Sequence, residues 1–397
     1  MRDPAPLHIV LLLCAAQVFA MAGFATYPAL LPELMQLWQL TGAQAGLLGG
    51  AYFFGYMVAV PFLSGLTDRV DARVVFATSC LLSAAGALGF GWLATGVWSG
   101  AMFQALGGAG LAGTYMPGLK AMTDRVQGTL QPRYVSFYTA TFGLGASFSL
   151  LLAGWLSAVV DTSTVFLLAG LPPMLAAPLV WWGLVSHVPL GGSRTWWPSF
   201  AGVWAQRKVR DYVIGYAVHC WELFGLRSWQ VAFFAFAFGM GTHQAWLSPA
   251  EAAAVLNLLG LPASILGNEM AMRVGRQRWI AGVMLASGGL AWIAGASSVL
   301  PWIATLFIAA IYNVVVMADS ASLTSGLVQE SDPAQRGAAM ALYSLAGFGA
   351  GFVAPVVFGL VLDSTGGEGS PLAWTMAMGA LGVGGLVWAL RLRLRKA

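Results

Sequence analysis

Gly118-Leu119-Lys120-Ala121-Met122-Thr123-Asp124 returns 208 positions later as Gly326-Leu327-Val328-Gln329-Glu330-Ser331-Asp332. Both stretches read G-L-x-x-x-[S/T]-D, and each closes a long apolar run. The match extends outward. Arg133 follows the first copy and Arg336 the second. Ala153-Gly154 leads to Asp161, and Phe358-Gly359 leads to Asp363. Arg69 and Arg273 stand in equivalent loops. Four correspondences in one order, at offsets of 202 to 208, mark a duplicated unit.

Composition identifies the solvent of that unit. Of 397 residues, 58% are hydrophobic and 9% charged, against about 25% charged in a soluble domain. This excludes a soluble globule, a disordered chain and a collagen. Cys14, Cys80 and Cys220 each sit alone in an apolar run, so no disulfide framework, redox pair or zinc spacing is present. A multi-span membrane protein remains. A bilayer core is about 30 Å thick and takes about 20 apolar residues per helix. The apolar runs place twelve helices near 7–31, 43–66, 73–94, 97–118, 133–158, 164–187, 212–240, 249–272, 278–297, 300–326, 337–362 and 371–391. They are too long and too evenly apolar for the alternating strands of a membrane barrel. Ala20-Met21-Ala22 imitates a signal cleavage site. The apolar run continues to Leu31, so it reads as a span.

Charge sets the orientation. With the N-terminus in the cytoplasm, 18 of the 19 Lys and Arg residues fall on the cytoplasmic side, a strong positive-inside pattern. Both termini are then cytoplasmic. The net charge of +4 reflects topology and attraction to anionic headgroups, not nucleic-acid binding. The exception is Arg227, inside the seventh span. The longest polar connection, 188–211, carries Arg194, Arg207, Lys208 and Arg210, with Gly191-Gly192 and Trp196-Trp197. It divides the chain into a six-helix half at 1–187 and another at 212–397. The expected fold is an all-α integral membrane protein of two six-helix pseudo-repeats, an architecture of secondary transporters.

The 2–3 loop reads Ser64-Gly65-Leu66-Thr67-Asp68-Arg69-Val70-Asp71-Ala72-Arg73. It resembles G-x-L-A-D-R-x-G-R-R of the major facilitator superfamily. Leu66, Asp68, Arg69 and Arg73 match; Ser64, Asp71 and Ala72 depart. The 8–9 loop keeps Arg273-Val274-Gly275-Arg276 but has Met272 at the acidic position. With the span count, midpoint loop and repeat, the resemblance covers the whole chain. It implies alternating access around a cavity lined by spans one, four, seven and ten. It also implies a cytoplasmic gate at Asp68, Arg69 and Arg73. The competing reading is plain topology charge. Span four has Gln104, Gly107 and Gly108 where relatives often carry R-x-x-Q-G. Span five has Gly143-Leu144-Gly145-Ala146-Ser147 without the proline of drug antiporters. Both departures speak against a drug antiporter of the usual kind.

An ionisable side chain at mid-bilayer costs at least ~2.5–3.5 kcal/mol on insertion scales, so such residues face a partner or a wet cavity. His219, Glu222 and Arg227 in span seven and Asp319 in span ten are deep. At 100° per residue, Tyr212, Tyr216, His219, Leu223, Arg227 and Gln230 share one side of span seven, with Glu222 at its edge. Arg227 offers a planar, always charged fork suited to a carboxylate or another oxyanion. Read functionally, it anchors an anionic substrate. Read structurally, it pairs with Glu222 or Asp319. A third reading puts it at the periplasmic boundary. Tyr312, Val316, Asp319 and Leu323 form a stripe on span ten. The 208 offset aligns it with Gln104, Leu111 and Tyr115 on span four. The expected substrate-binding set is Arg227, Tyr216, His219, Gln104, Tyr115, Tyr312 and Asn313, with Gln17 beside it. Glu222 and Asp319 are the proton-coupling candidates, Glu222 first for its depth, against a reading of both as fixed partners.

Other signals are set aside. Gly108-x-Gly110-x-x-Gly113 matches a dinucleotide fingerprint but lies in an apolar span without βαβ context. It and Gly347-Phe348-Gly349-Ala350-Gly351 read as close helix contacts. No Walker A sequence occurs. Met240 near His243, and Met270 near Met272, suit packing better than copper. No cofactor, metal site or enzyme activity is expected. The expectation is a monomeric secondary transporter in a bacterial-type cytoplasmic membrane, moving a small organic or inorganic anion with protons. The alternatives are a proton/drug antiporter and a non-transporting receptor.

Overall fold

The computed structural model describes residues 6–128, 130–187, 200–241, 245–332 and 335–394. Arg2, Gly191-Gly192, Arg194, Trp196-Trp197, His243, Arg395 and Lys396 lie outside the described residues, as does the Arg393 side chain. A bilayer leaves no water to satisfy backbone polar groups, so an apolar chain must satisfy them within helices. The described residues form helices α1 (Pro6–Ala20), α2 (Thr26–Ala29), α3 (Leu31–Leu37), α4 (Gly42–Leu66), α5 (Ala72–Leu93) and α6 (Val97–Ala112). There follow α7 (Tyr115–Arg125), α8 (Gln131–Ser157), α9 (Thr162–Gly183), α10 (Phe200–Ala205), α11 (Arg207–Met240) and α12 (Pro249–Val274). The last are α13 (Arg276–Ala296), α14 (Trp302–Met317), α15 (Ser320–Glu330), α16 (Arg336–Ser364) and α17 (Pro371–Leu394). Local chemistry starts several of them. Asp71 caps α5, Asp161 caps α9, and Ser248 with Glu251 forms a capping box on α12.

Among the described residues, ten helices are long and apolar enough to cross a bilayer, counting α14 and α15 as one. The first expected span is a short apolar helix followed by a turn at 21–25, with two further short helices reaching Leu37. The fourth is broken between α6 and α7. The connection expected at 188–211 is helical in α10 and from Arg207 onward.

The breaks correct the repeat register. α6 and α14 each have 16 residues, and α7 and α15 each have 11. Every boundary of one pair lies 205 positions from its counterpart, not 208. Asp319 therefore corresponds to Thr114, and Tyr312 to Gly107. Side chains satisfy carbonyls at both breaks. Tyr138 Oη donates to the Thr114 and Tyr115 carbonyls, and Trp279 Nε1 to the Ala318 carbonyl at 2.9 Å.

The chain forms two units. One comprises 1–30 and 51–197; the other comprises 31–50 and 198–397. In the first unit, α5 packs against α6 and α9. In the second, α11 packs against α16 and α17, and α13 against α17. The glycines act as expected. A Cβ at Gly108 would strike the Tyr52 carbonyl, and one at Gly347 would strike the Tyr216 ring. Large apolar side chains such as Phe307 and Leu175 stand exposed, a surface that suits lipid. Trp92, Trp98 and Trp182 are exposed at helix ends, where indole favours the interface.

Candidate functional site

The second unit holds the deep charges, and they separate into three places. The first is the break in span ten. Asp319 stands at the N-cap position of α15 but does not cap it. Its Oδ1 lies 2.7 Å from His219 Nδ1 on α11. This is an ion-pair distance without hydrogen-bond geometry, and both residues are buried. Tyr216, one turn before His219, stacks on Tyr343 of α16 with centroids 3.7 Å apart. The Tyr343 hydroxyl meets Thr324 Oγ1 of α15 at 3.0 Å. The pair is thus held by three helices.

The second place is Glu222. Its Oε2 accepts from Ser287 Oγ of α13 at 2.9 Å, and its Oε1 accepts from Tyr312 Oη of α14 at 3.0 Å. The carboxyl group braces three helices and is buried. Tyr312, expected to bind substrate, is thereby occupied with Glu222. Asn313 donates to the Ala309 carbonyl of its own helix at 2.8 Å.

The third place is Arg227. Among the described residues no carboxylate lies within ion-pair distance of it, so neither Glu222 nor Asp319 is its partner. Its Nη2 is 4.0 Å from Met317 Sδ, the last residue of α14, and its buried Nε has no hydrogen-bond partner. Arg227 stands thirteen residues before the end of α11, about 20 Å of helix. His219 and Arg227 thus approach the same break, at Asp319 and Met317.

The remaining expected residues belong to the first unit. Gln104 is buried and lines a small pocket with Tyr52, Ser83 and Gly107. Tyr115 stacks on Tyr138, which also bonds Gln17. At the 2–3 loop, Asp68 is exposed, whereas Asp71 carries the contacts. Asp71 Oδ1 accepts from Arg125 Nη2 at 2.7 Å, and its Oδ2 accepts from the His187 N–H at 2.7 Å. Arg73 Nη1 donates to the Trp181 and Leu184 carbonyls. This cluster ties α5, α7 and the end of α9 together. Burial pushes the Asp71 carboxyl up. The Arg125 hydrogen bond, the His187 and Arg73 N–H groups and the Arg125 charge outweigh it and hold the carboxyl below its usual range. Asp71 was legible only as a departure from the family loop. Its partner lies 54 positions away, and nothing local announces it.

The model of the Major Facilitator Superfamily matches residues 13–330. The chain belongs to this family. Family membership makes it a multi-pass integral membrane protein. A similar protein is the MFS-type transporter YcaD of Salmonella enteritidis, 29% identical over 181 residues, covering 43% of this chain and 46% of that one. The chain thus spans about half the length of the curated relatives it matches. Among solved structures, a bacterial homologue of the human lysosomal transporter Spinster in an inward-facing occupied conformation superposes with TM-score 0.79. It is 16% identical, with 100% of this chain and 98% of that one covered. The nucleoside transporter NupG gives 0.75 at 14% identity, covering 97% and 99%. At these identities the likeness establishes the fold alone.

Proposed function

We propose that this transporter moves a small anion together with protons by alternating access, with Arg227 as the anion anchor and the His219–Asp319 pair as the proton carrier. The observation that carries the reading is the deep guanidinium of Arg227 without an anionic partner among the described residues. A charge so placed is costly unless a ligand or water answers it. A planar fork answers a carboxylate or similar oxyanion best.

The proton step follows from the break. Loss of the proton shared by the pair removes the charge on His219 that holds Asp319. The Asp319 carboxylate is then free to cap the first N–H groups of α15. Proton occupancy is thereby coupled to the shape of span ten, and substrate and proton shift the conformational equilibrium by their differential affinities. Glu222, already holding two donors, serves as a brace. Asp68, Arg69 and Arg73 form the cytoplasmic gate, with Asp71 and Arg125 as the anchor of its first-half side. The remaining features of this reading are twelve spans in two six-helix halves, 1–187 and 212–397, joined by the 188–211 connection, both termini in the cytoplasm, a monomer, and a bacterial cytoplasmic membrane.

The test uses proteoliposomes with an internal pH dye and a panel of small anions and cationic drugs. Anion-dependent proton movement lost in both Arg227→Ala and Asp319→Asn is the expected result. Proton movement only with cations, surviving Arg227→Ala, overturns the reading.

A further inference from the structure

Arg227 is not the only polar group left open in this part of the second unit. Gln230, one turn further along α11 and on the same side, is buried at 2% exposure, and neither its Oε1 nor its Nε2 has a hydrogen-bond partner. Asn257 on α12 is buried at 5%, and its Oδ1 is likewise unpartnered. The geometry connects them. The Met317 side chain touched by Arg227 is also the atom group that a Cβ at Gly260 would meet, at 2.9 Å. Asn257 stands one turn from Gly260, and α11 packs against α12. Both helices run in opposite senses in the bilayer, so Gln230 and Asn257 lie toward the same face of the membrane relative to Arg227.

An unpartnered buried amide is costly, and native structures rarely keep one without a reason. Gln230, one turn from an unpaired guanidinium, and Asn257, on the helix that meets the same Met317, point to a ligand that supplies the missing bonds. We propose that Gln230 and Asn257 extend the Arg227 site into a two-part pocket, whose substrate is a small organic anion bearing a hydroxyl or similar hydrogen-bonding group near its carboxylate. This rests on the reading of Arg227 as the anion anchor. The guanidinium takes the carboxylate. The amide of Gln230 can donate and accept, and Asn257 Oδ1 can accept from the hydroxyl. A site built this way rejects the deoxy analogue, because its amides are then left unpaired.

The test measures ligand-induced thermal stabilisation of the purified full-length transporter. The probes are matched pairs, lactate with propionate, malate with succinate and gluconate with hexanoate, and the neutral polyols glycerol and sorbitol. In wild type at least one hydroxy acid should bind at least about tenfold tighter than its deoxy partner. Gln230→Leu and Asn257→Leu should each erase that preference while retaining the deoxy acid. Arg227→Ala should lose both. Gln230→Leu should also raise the melting temperature of the empty protein, because no native hydrogen bond is lost and an orphaned amide is removed. A fall would mark the amide as structural and overturn the proposal. Binding of acids without any hydroxyl preference, or with a preference that both leucine variants keep, overturns the pocket and leaves the anion anchor standing. It would mean that the amides hold only water. Polyol binding that survives Arg227→Ala but not Gln230→Leu overturns the anion reading instead. Failure of every acid to bind overturns both.

Discussion

His219 Nδ1 and Asp319 Oδ1 stand 2.7 Å apart, where the carboxylate occupies a helix N-cap position without capping it. The chain gives up a local hydrogen bond at the start of α15, worth about 1 kcal/mol in comparable caps, for a contact with another helix. That exchange makes the pair suited to report protonation to the backbone. Asp319→Asn should abolish accumulation driven by a pH gradient while sparing exchange of substrate for substrate, which needs no net proton movement. Uptake and counterflow assays on the same vesicles separate the two. Equal loss of both would make Asp319 a structural residue.

Glu222 should behave differently. Glu222→Gln keeps an acceptor for one hydroxyl, and its amide can donate to the other. It should retain gradient-driven uptake within a few-fold. Glu222→Leu orphans the Tyr312 hydroxyl, at about 1–3 kcal/mol for an unsatisfied group, and leaves Ser287 only the Met284 carbonyl. It should lower the melting temperature measurably. Loss of proton coupling in Glu222→Gln with an unchanged melting temperature would transfer the carrier role to Glu222.

The Asp71–Arg125 pair predicts a pH-dependent stability at the cytoplasmic end of the first unit. Side-chain exposures are 7% and 6%, so the pair is buried. Removing one partner of such a pair costs about 3 kcal/mol, and Arg125→Ala should lower the melting temperature accordingly. The Asp71 carboxyl is held below its usual range in the folded state. Its stabilisation is therefore complete above the unfolded value near 3.9. It is lost as pH falls through the lower folded value. Melting curves from pH 6 to 3 should converge for wild type and Asp71→Asn at the acid end. Parallel curves would remove the assignment.

Asp363 and Asp161, matched by the repeat, do different work. Asp161 caps its own helix by accepting from the Thr164 N–H at 2.9 Å. Asp363, near the end of α16, accepts from the N–H groups of Gly42 at 2.7 Å and Ala43 at 2.9 Å, at the start of α4. It acts as a cap supplied from 320 residues away. Asp363→Ala should cost about 1 kcal/mol and speed amide exchange at Gly42 and Ala43. Unchanged exchange there would show that the contact contributes nothing.

The sequence alone determined the membrane and the helices. Each follows from summed composition, periodicity and charge placement, which act over windows of twenty residues or more and tolerate local exceptions. It also marked Arg227, His219, Glu222 and Asp319, because a charge in an apolar run stands out whatever its partner. Tertiary structure decided who meets whom. Glu222 and Asp319 looked equivalent as partners for Arg227, yet one went to Ser287 and Tyr312, the other to His219, and Arg227 to neither. The break before Asp319 reset the repeat register by three residues, and Asp71 found Arg125 across 54 positions. These outcomes depend on distances of 3 Å between side chains on different helices. Such distances are set by helix rotation and crossing, which no single-helix pattern encodes.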